Sequence, residues 1–204
     1  MPRRSDHSHA QIRAMALAAA RRLVDVGGLG DVTARRVAEA IGYSPGTLYN
    51  VFANLDDLIL QVNAETLDDL RTQLAASPTG DVETDVKALA LAYIAFIDAH
   101  PHRWAAVMDH SLPPGSPMPD WYQARIDALM ACLECALAPL FGKIEEAARL
   151  RAASVLWSSL HGICSLSRSG KLSIVTADTV LQTAEDLVAT YLAGLCARRR
   201  PTAP

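Results

Sequence analysis

The sequence predicts an all-α protein: an N-terminal three-helix head that carries a helix-turn-helix, followed by a larger C-terminal helical bundle. Three observations carry that expectation. Ala and Leu dominate while β-branched residues are scattered, so almost no segment shows the period-two alternation of a strand. Apolar residues recur instead at steps of three and four along nearly the whole chain. Gly and Pro fall between these periodic stretches, where they stop helices or open loops.

The elements follow in order. Ile12, Met15, Ala16, Ala19, Leu23 and Val26 form one helical face, and Gly27-Gly28 stops it. Thr33 is placed to cap a short helix with Val37, Ala38 and Ile41 inside, which ends at Gly42. Ser44 is placed to cap a third helix with Pro45 at its first position, where a missing N–H costs nothing. A fourth helix is expected from about Asn54, with Asp56 and Asp57 in its first turn and Leu55, Leu58, Ile59, Val62, Thr66, Leu70 and Leu74 inward. It ends before Ser77-Pro78-Thr79-Gly80. A fifth turns Val86, Leu89, Ala90, Tyr93, Ile94 and Ile97 inward and is interrupted at His100-Pro101. The four prolines between Leu112 and Pro119 make that stretch a loop. Helices are then expected at about 120–140, 143–168 and 176–198. The last bears the broad stripe Val180, Leu181, Ala184, Leu187, Val188, Tyr191, Leu192 and Leu195. No internal repeat is present.

Composition removes several classes. The 204 residues are 50% hydrophobic and 20% charged, outside the range of disordered chains. The longest wholly apolar run, Ala88 to Ile97, is half the length that spans a bilayer, about 20 residues. The N-terminal segment lacks a signal-peptide core, so a cytoplasmic protein without a membrane partner is expected. Cys132, Cys135, Cys164 and Cys196 are expected as buried reduced thiols rather than a disulfide framework. Cys132 and Cys135 share a helix face, yet with His161 or Cys164 they make a poor zinc site, and no metal or other cofactor is expected.

The net charge of −3 hides an uneven distribution. Residues 1–55 hold seven Arg against four acidic residues, a net +3, while the remainder is −6. A basic head on an acidic body suits a DNA-binding module joined to a part that avoids DNA. Within the head, residues 33–52 have the length and punctuation of a helix-turn-helix. Ala38 is small where two helices cross, and Gly42 supplies the left-handed turn. Val37, Ile41 and Leu48 fix the crossing. Pro45, Gly46, Thr47, Tyr49 and Asn50 remain on the outer side of the second helix, where an N-terminus meets phosphates and base edges. An αα-hairpin inside a bundle would use the same spacing.

The wider set Gly27, Thr33, Arg35, Ala38, Gly42, Ser44, Gly46-Thr-Leu-Tyr49, Phe52 and Leu58 closely resembles the N-terminal domain of TetR-family transcriptional regulators. The resemblance covers about residues 8–70. It implies DNA contacts by Thr33, Arg35, Ser44, Pro45, Gly46, Thr47, Tyr49 and Asn50. Thr33 would meet a phosphate as it caps its helix, and the Asn50 amide could pair with adenine or remain solvated. Two positions depart from the family. Leu55 stands where a lysine usually touches phosphate, and Val51 where His or Tyr is usual, so two polar contacts are lost. Arg3 and Arg4 on the N-terminal arm could compensate, or merely solubilise.

The resemblance divides the chain into a DNA-binding domain, residues 1–55, and a ligand-binding and dimerisation domain, residues 56–200. Tyr93 to Pro101 together with Trp157-Ser-Ser-Leu-His161-Gly162 is similar to the C-terminal variant named for its Trp, His and Gly. Trp157 and His161, four apart, share a helix face as a ligand-facing pair or as core. Trp104, Met108 and Trp121, beside the proline loop, either line a pocket or close the bundle. Those three with Trp157 and His161 are the expected ligand-binding residues.

The implied function is a DNA-binding regulator, a homodimeric repressor released from a palindromic operator by a small apolar effector. Two other classes stand beside it: a helical interaction adaptor, suggested by Val51 and Leu55, and an enzyme on a degenerate scaffold. The sequence has no Gly-x-Ser-x-Gly, His-Glu-x-x-His or phosphate-cradling loop, and Asp109-His110 suits helix-end capping better than catalysis, so no catalytic residue is assigned.

Overall fold

The computed structural model describes residues 7–75, 78–142 and 145–199. Arg3 and Arg4 lie outside the described residues, as do 143–144 at the start of the helix expected over 143–168. All regular structure among the described residues is helical, ten α-helices and two short 3-10 turns. The chain falls into two compact units: residues up to Asp69 with Ala99–Arg125, and Leu70–Asp98 with residues from Ile126 onward.

In the first unit, α1 (His9–Gly27) starts with a reciprocal capping box. Ser8 Oγ accepts the Gln11 amide at 3.3 Å, and the Gln11 side chain takes the Ser8 amide at 2.7 Å. The helix stops at Gly28, whose φ of 75° is left-handed. Its inner face is Ile12, Ala16, Ala19, Ala20 and Val24. Val26, expected there, is 80% exposed, because the buried face ends two residues earlier at Val24. α2 (Ala34–Ala40) and the single turn α3 (Pro45–Leu48) bring Val37, Ala38 and Leu48 into the same core.

That core also takes Leu58, Ile59 and Val62 from α4 (Leu55–Leu74) and Ala106 from α6 (Pro101–Asp109). The buried Asn63 side chain donates to the Ala106 carbonyl at 3.0 Å. Arg103 of α6 pairs with Asp25, holding the Asp25 carboxyl below its ordinary pKa by a direct hydrogen bond. Along α4, Leu60, Asn63, Ala64 and Leu67 are buried besides the expected face, so the helix is covered on more than one side. Asn54 caps α4 by accepting the Asp57 amide at 2.8 Å. His110, at the end of α6, meets Asp56 at 3.0 Å.

The second unit is built on α5 (Val82–Ala99), α7 (Asp120–Leu137), α8 (Glu146–Arg168), the single turn α9 (Leu172–Val175) and α10 (Val180–Arg199). Val86, Ile94, Phe96, Leu137, Leu156 and Val188 are among its deeply buried apolar residues. The helix expected at 120–140 ends at Leu137, where Pro139 tightens the chain into a 3-10 turn. The helix expected from 176 starts later, at Val180, and the short α9 lies wholly before the expected range. Thr179 and Gln182 form a second capping box, which starts α10 at Val180 and separates it from α9. On α10 only Ala184, Val188 and Leu192 are fully buried. α8 and α10 pack together, and Tyr191 donates to the Ala152 carbonyl at 3.1 Å. Of the four free cysteines only Cys164 is buried, and Cys135 and Cys196 are exposed, correcting the expected burial. No described helix is long and apolar enough to cross a membrane.

Candidate nucleic-acid interface and apolar cavity

Thr33 caps α2, its Oγ1 accepting the Arg36 amide at 3.2 Å. One turn places Arg35 outward, exposed and without a partner among the described residues, while Arg36 folds back to Asp31. α2 closes when the Tyr43 amide donates to the Ala38 carbonyl at 2.9 Å, which the φ of 76° at Gly42 makes possible. Ser44 then stands at the N-cap position of α3 but does not cap it: its hydroxyl pairs with Thr47 Oγ1 at 3.1 Å. Beyond α3 the amides of Val51 and Phe52 both return to the Leu48 carbonyl, at 3.0 and 2.9 Å, so the turn extends to Phe52.

Leu48 is buried at 3% exposure and anchors this element. Around it Ser44, Pro45, Gly46, Tyr49 and Asn50 are exposed and Thr47 is half-buried, so these expected contact residues are accessible to solvent. A Cβ built on Gly46 would meet nothing nearer than Ser44 Oγ at 3.8 Å. Val51 and Leu55 both pack, partly buried, against the head core, which accounts for their apolar character.

Arg13, which sequence reasoning missed, fixes this surface from behind. Its guanidinium donates to the Val51 carbonyl at 2.5 Å and to Gln61 Oε1 at 2.7 Å, and lies over the Phe52 ring at 4.8 Å. Gln61 donates to Asp57, which accepts the Ala53 amide at 3.0 Å. The end of the recognition element is thus tied to α1 and α4. Arg21 is likewise engaged, by Glu65 and Asp69. Among the described Arg residues of the head only Arg22 and Arg35 have no partner.

The second unit contains an apolar cavity of about 40 Å³. Leu129, Met130, Leu133, Leu156 and Trp157 are among its walls. The Trp157 ring stacks on His161, centroids 5.4 Å apart and planes 8° from parallel, and His161 Nδ1 is 2.9 Å from the Tyr93 hydroxyl. Burial, with Arg168 adding to it, holds His161 below its ordinary pKa. Of the five expected ligand-binding residues, Trp157 lines this cavity and His161 is stacked behind it. Trp104, Met108 and Trp121 belong to the other unit, Trp104 buried and the other two exposed. The apolar lining has no sequence signal beyond helical periodicity, which does not distinguish a filled core from a void.

A helix-turn-helix that presents small and hydrogen-bonding residues outward, on an otherwise helical chain, defines a DNA-binding transcriptional regulator. The family model for bacterial regulatory proteins of the tetR family matches residues 16–62, and that for the tetracyclin repressor-like C-terminal domain matches residues 86–191. The chain belongs to the TetR family. It is 29% identical over 180 residues to an uncharacterized HTH-type transcriptional regulator of Mycobacterium tuberculosis, covering 88% of this chain and 78% of that one. Two solved structures share its fold. One, a protein with unknown function from Rhodococcus sp. RHA1, has a TM-score of 0.72 at 20% identity, with 96% of this chain and 100% of that one covered. The other, a transcriptional regulator described as a TetR from Streptomyces coelicolor, has a TM-score of 0.66 at 18% identity, with 93% and 99% covered.

Proposed function

We propose that this regulator is a repressor that holds a palindromic operator as a symmetric homodimer and leaves it when a small apolar effector enters the cavity beside Trp157. The outer surface of Thr33, Arg35 and Ser44 to Asn50 carries the reading. It offers an exposed guanidinium, hydroxyls, an amide and a side-chain-free position to solvent, and one small head per subunit calls for two-fold symmetry to reach useful affinity. Thr33 and Arg35 meet the backbone, and Thr47, Tyr49 and Asn50 face bases or the backbone beside them. Trp157 and His161 serve the effector, with no part for catalysis, a cofactor or a membrane, and the cytoplasm is where such a protein works.

Release is a population shift. An effector that fits the second unit better in the DNA-incompetent dimer lowers operator affinity by its differential binding energy. α4 is the element shared by both tasks, since Leu74 lines the cavity while Asp57 on the same helix holds the Ala53 amide behind the recognition element. Coupling of about 1–3 kcal/mol corresponds to roughly 5- to 150-fold in affinity. The test is footprinting on the source genome followed by titration of apolar compounds against the operator complex. Protection of a two-fold-symmetric site, lost on adding a compound that raises the melting temperature, is expected. Absence of any preferred site would sink the reading. The packing of Val51 and Leu55 into the head core supports a retained DNA-binding module over an adaptor.

A further inference from the structure

In the second unit a groove of about 250 Å³ runs between the end of α4, α5 and α7. Cys132 and Cys135 both line it. They stand three residues apart within α7, so the helix sets them one above the other on a single face. A cysteine side chain is a methylene and a thiol, so the wall that each contributes lies within one bond of its sulfur. Cys135 is exposed and Cys132 half-buried, and the Cys132 thiol makes a weak contact of 3.7 Å with the Ala128 carbonyl of its own helix. Other polar side chains of the groove are bonded within the chain. Gln73 donates to the Ala92 carbonyl at 3.0 Å, the Thr79 hydroxyl to Asp85 at 2.7 Å and the Thr84 hydroxyl to Asp81 at 2.5 Å. Leu74, Ala88, Leu89, Ala92 and Ala136 supply apolar wall.

Two thiols so placed can close on each other or on an atom held between them, and the spacing decides. Cβ atoms one helical turn apart are about 5–6 Å from each other, whereas a disulfide needs about 3.5–4.5 Å. A direct S–S bond would distort α7, while an intervening atom fills the gap. Peroxide is also a poor reagent here: burial, with Cys135 adding to it, pushes the Cys132 thiol pKa up, and the thiolate is the attacking form. The intervening atom must be satisfied by two protein ligands. No group of three His, Cys, Asp or Glu able to hold a metal occurs among the described residues, and zinc takes four ligands. A cuprous ion between two thiolates would leave a net negative charge against apolar walls.

We propose that Cys132 and Cys135 bind a trivalent arsenical carrying one apolar organic group, the two sulfurs holding the arsenic while the group lies in the groove against Leu74 and Leu89. The assignment does not rest on the cavity beside Trp157 being the effector site. Arsenic in such a compound bears one carbon and two exchangeable hydroxyls. Each thiol replaces one hydroxyl: two As–S bonds form, two As–O bonds break, and the thiol protons leave with the hydroxyls as two waters. Arsenic stays trivalent and no oxidant is consumed. The adduct is uncharged, which suits apolar surroundings.

Phenylarsine oxide, which hydrates to this dihydroxy form, tests the site on the reduced full-length protein. Intact-mass spectrometry should show one phenylarsine per chain, and peptide mapping after alkylation should find Cys132 and Cys135 protected. Cys132→Ser and Cys135→Ser should each weaken binding about 100-fold or more, because the second As–S bond of the wild type forms within one molecule. Cys196→Ser should bind as the wild type does. Should Cys132→Ser fail to fold by circular dichroism, the exposed Cys135→Ser and the protection map decide. Glutathione, a monothiol, should not strip the adduct, whereas dimercaptopropanol should. Methylarsonous acid, with each affinity taken relative to that for dimercaptopropanol, should bind about tenfold more weakly than the phenyl compound, which buries a ring in the groove. No adduct, unchanged binding by Cys135→Ser, protection of another cysteine instead, or stripping by glutathione overturns the two-thiol site. Equal relative binding of the methyl and phenyl compounds overturns the placement of the organic group.

Discussion

Gly46 is a glycine that the protein's own interior does not require: its backbone is ordinary, and a side chain there would enter open space. The open space leaves room for the proposed close approach of DNA. Gly46→Ala is expected to keep or slightly raise the melting temperature, since Ala favours a helix by up to about 1 kcal/mol. Operator affinity should fall at least about tenfold, by loss of a contact of about 1–3 kcal/mol. Equal affinity in a mobility-shift titration would remove Gly46 from the interface. Arg35→Ala, at an exposed and unpaired guanidinium, should leave the fold intact and reduce the slope of log affinity against log salt by about 1 per subunit. His161 sets a pH limit of its own. Because burial lowers its folded pKa beneath the ordinary 6.5, it contributes stability that is whole above that pH and is lost as pH falls below it. Melting curves from pH 7.5 to 5 should show this decline, and His161→Gln should flatten it. What was legible at this scale was local. Thr33 and Gly42 declare a cap and a left-handed turn by residue type alone. Arg13 does not declare itself, because its partners lie 38 and 48 residues away and only the folded chain brings them together.

At the scale of elements, periodicity located nearly every helix but overstated some faces. The eight-residue stripe on α10 suggested broad burial, whereas one narrow row, Ala184, Val188 and Leu192, is sunk in the subunit. Leu187, Tyr191 and Leu195 are only half-buried, and on α8 Val155 is 46% exposed. We propose this half-buried face of α8 and α10 as the dimer contact. Leu195→Glu and Val155→Glu should therefore yield folded monomers by light scattering and circular dichroism, while Leu192→Glu should unfold the chain, since an unpaired charge in a core is severely destabilising. A dimer surviving both surface substitutions would move the contact elsewhere. The start of α10 at Val180 was readable in principle, as Thr179 and Gln182 have capping-box spacing, although the helix was expected from 176.

For the whole molecule, the head does not end where its motif ends. Residues 1–55 hold the recognition surface, yet its core is completed by Leu58, Ile59 and Val62 of α4 and by Ala106 of α6. A fragment of residues 1–55 should therefore be unfolded by circular dichroism, and a cooperative melt from it would contradict the core described here. Sequence spacing could not foresee Ala106, since a small residue in a short amphipathic helix carries no mark of its distant partner.

The engagement of Arg13, Arg21 and Arg36 by groups of their own chain has a reach beyond the protein. Guanidiniums occupied in this way displace few ions from a DNA duplex, so in the proposed complex the described head would grip arbitrary sequence weakly and draw more of its hold from base-edge contacts made at the right site. A chromosome offers on the order of 10⁶ or more wrong sites, which act as a sink for any strongly cationic binder. A regulator with a weak hold on that sink stays available in small numbers, so a few copies per cell can keep an operator occupied and clear it promptly when the effector arrives.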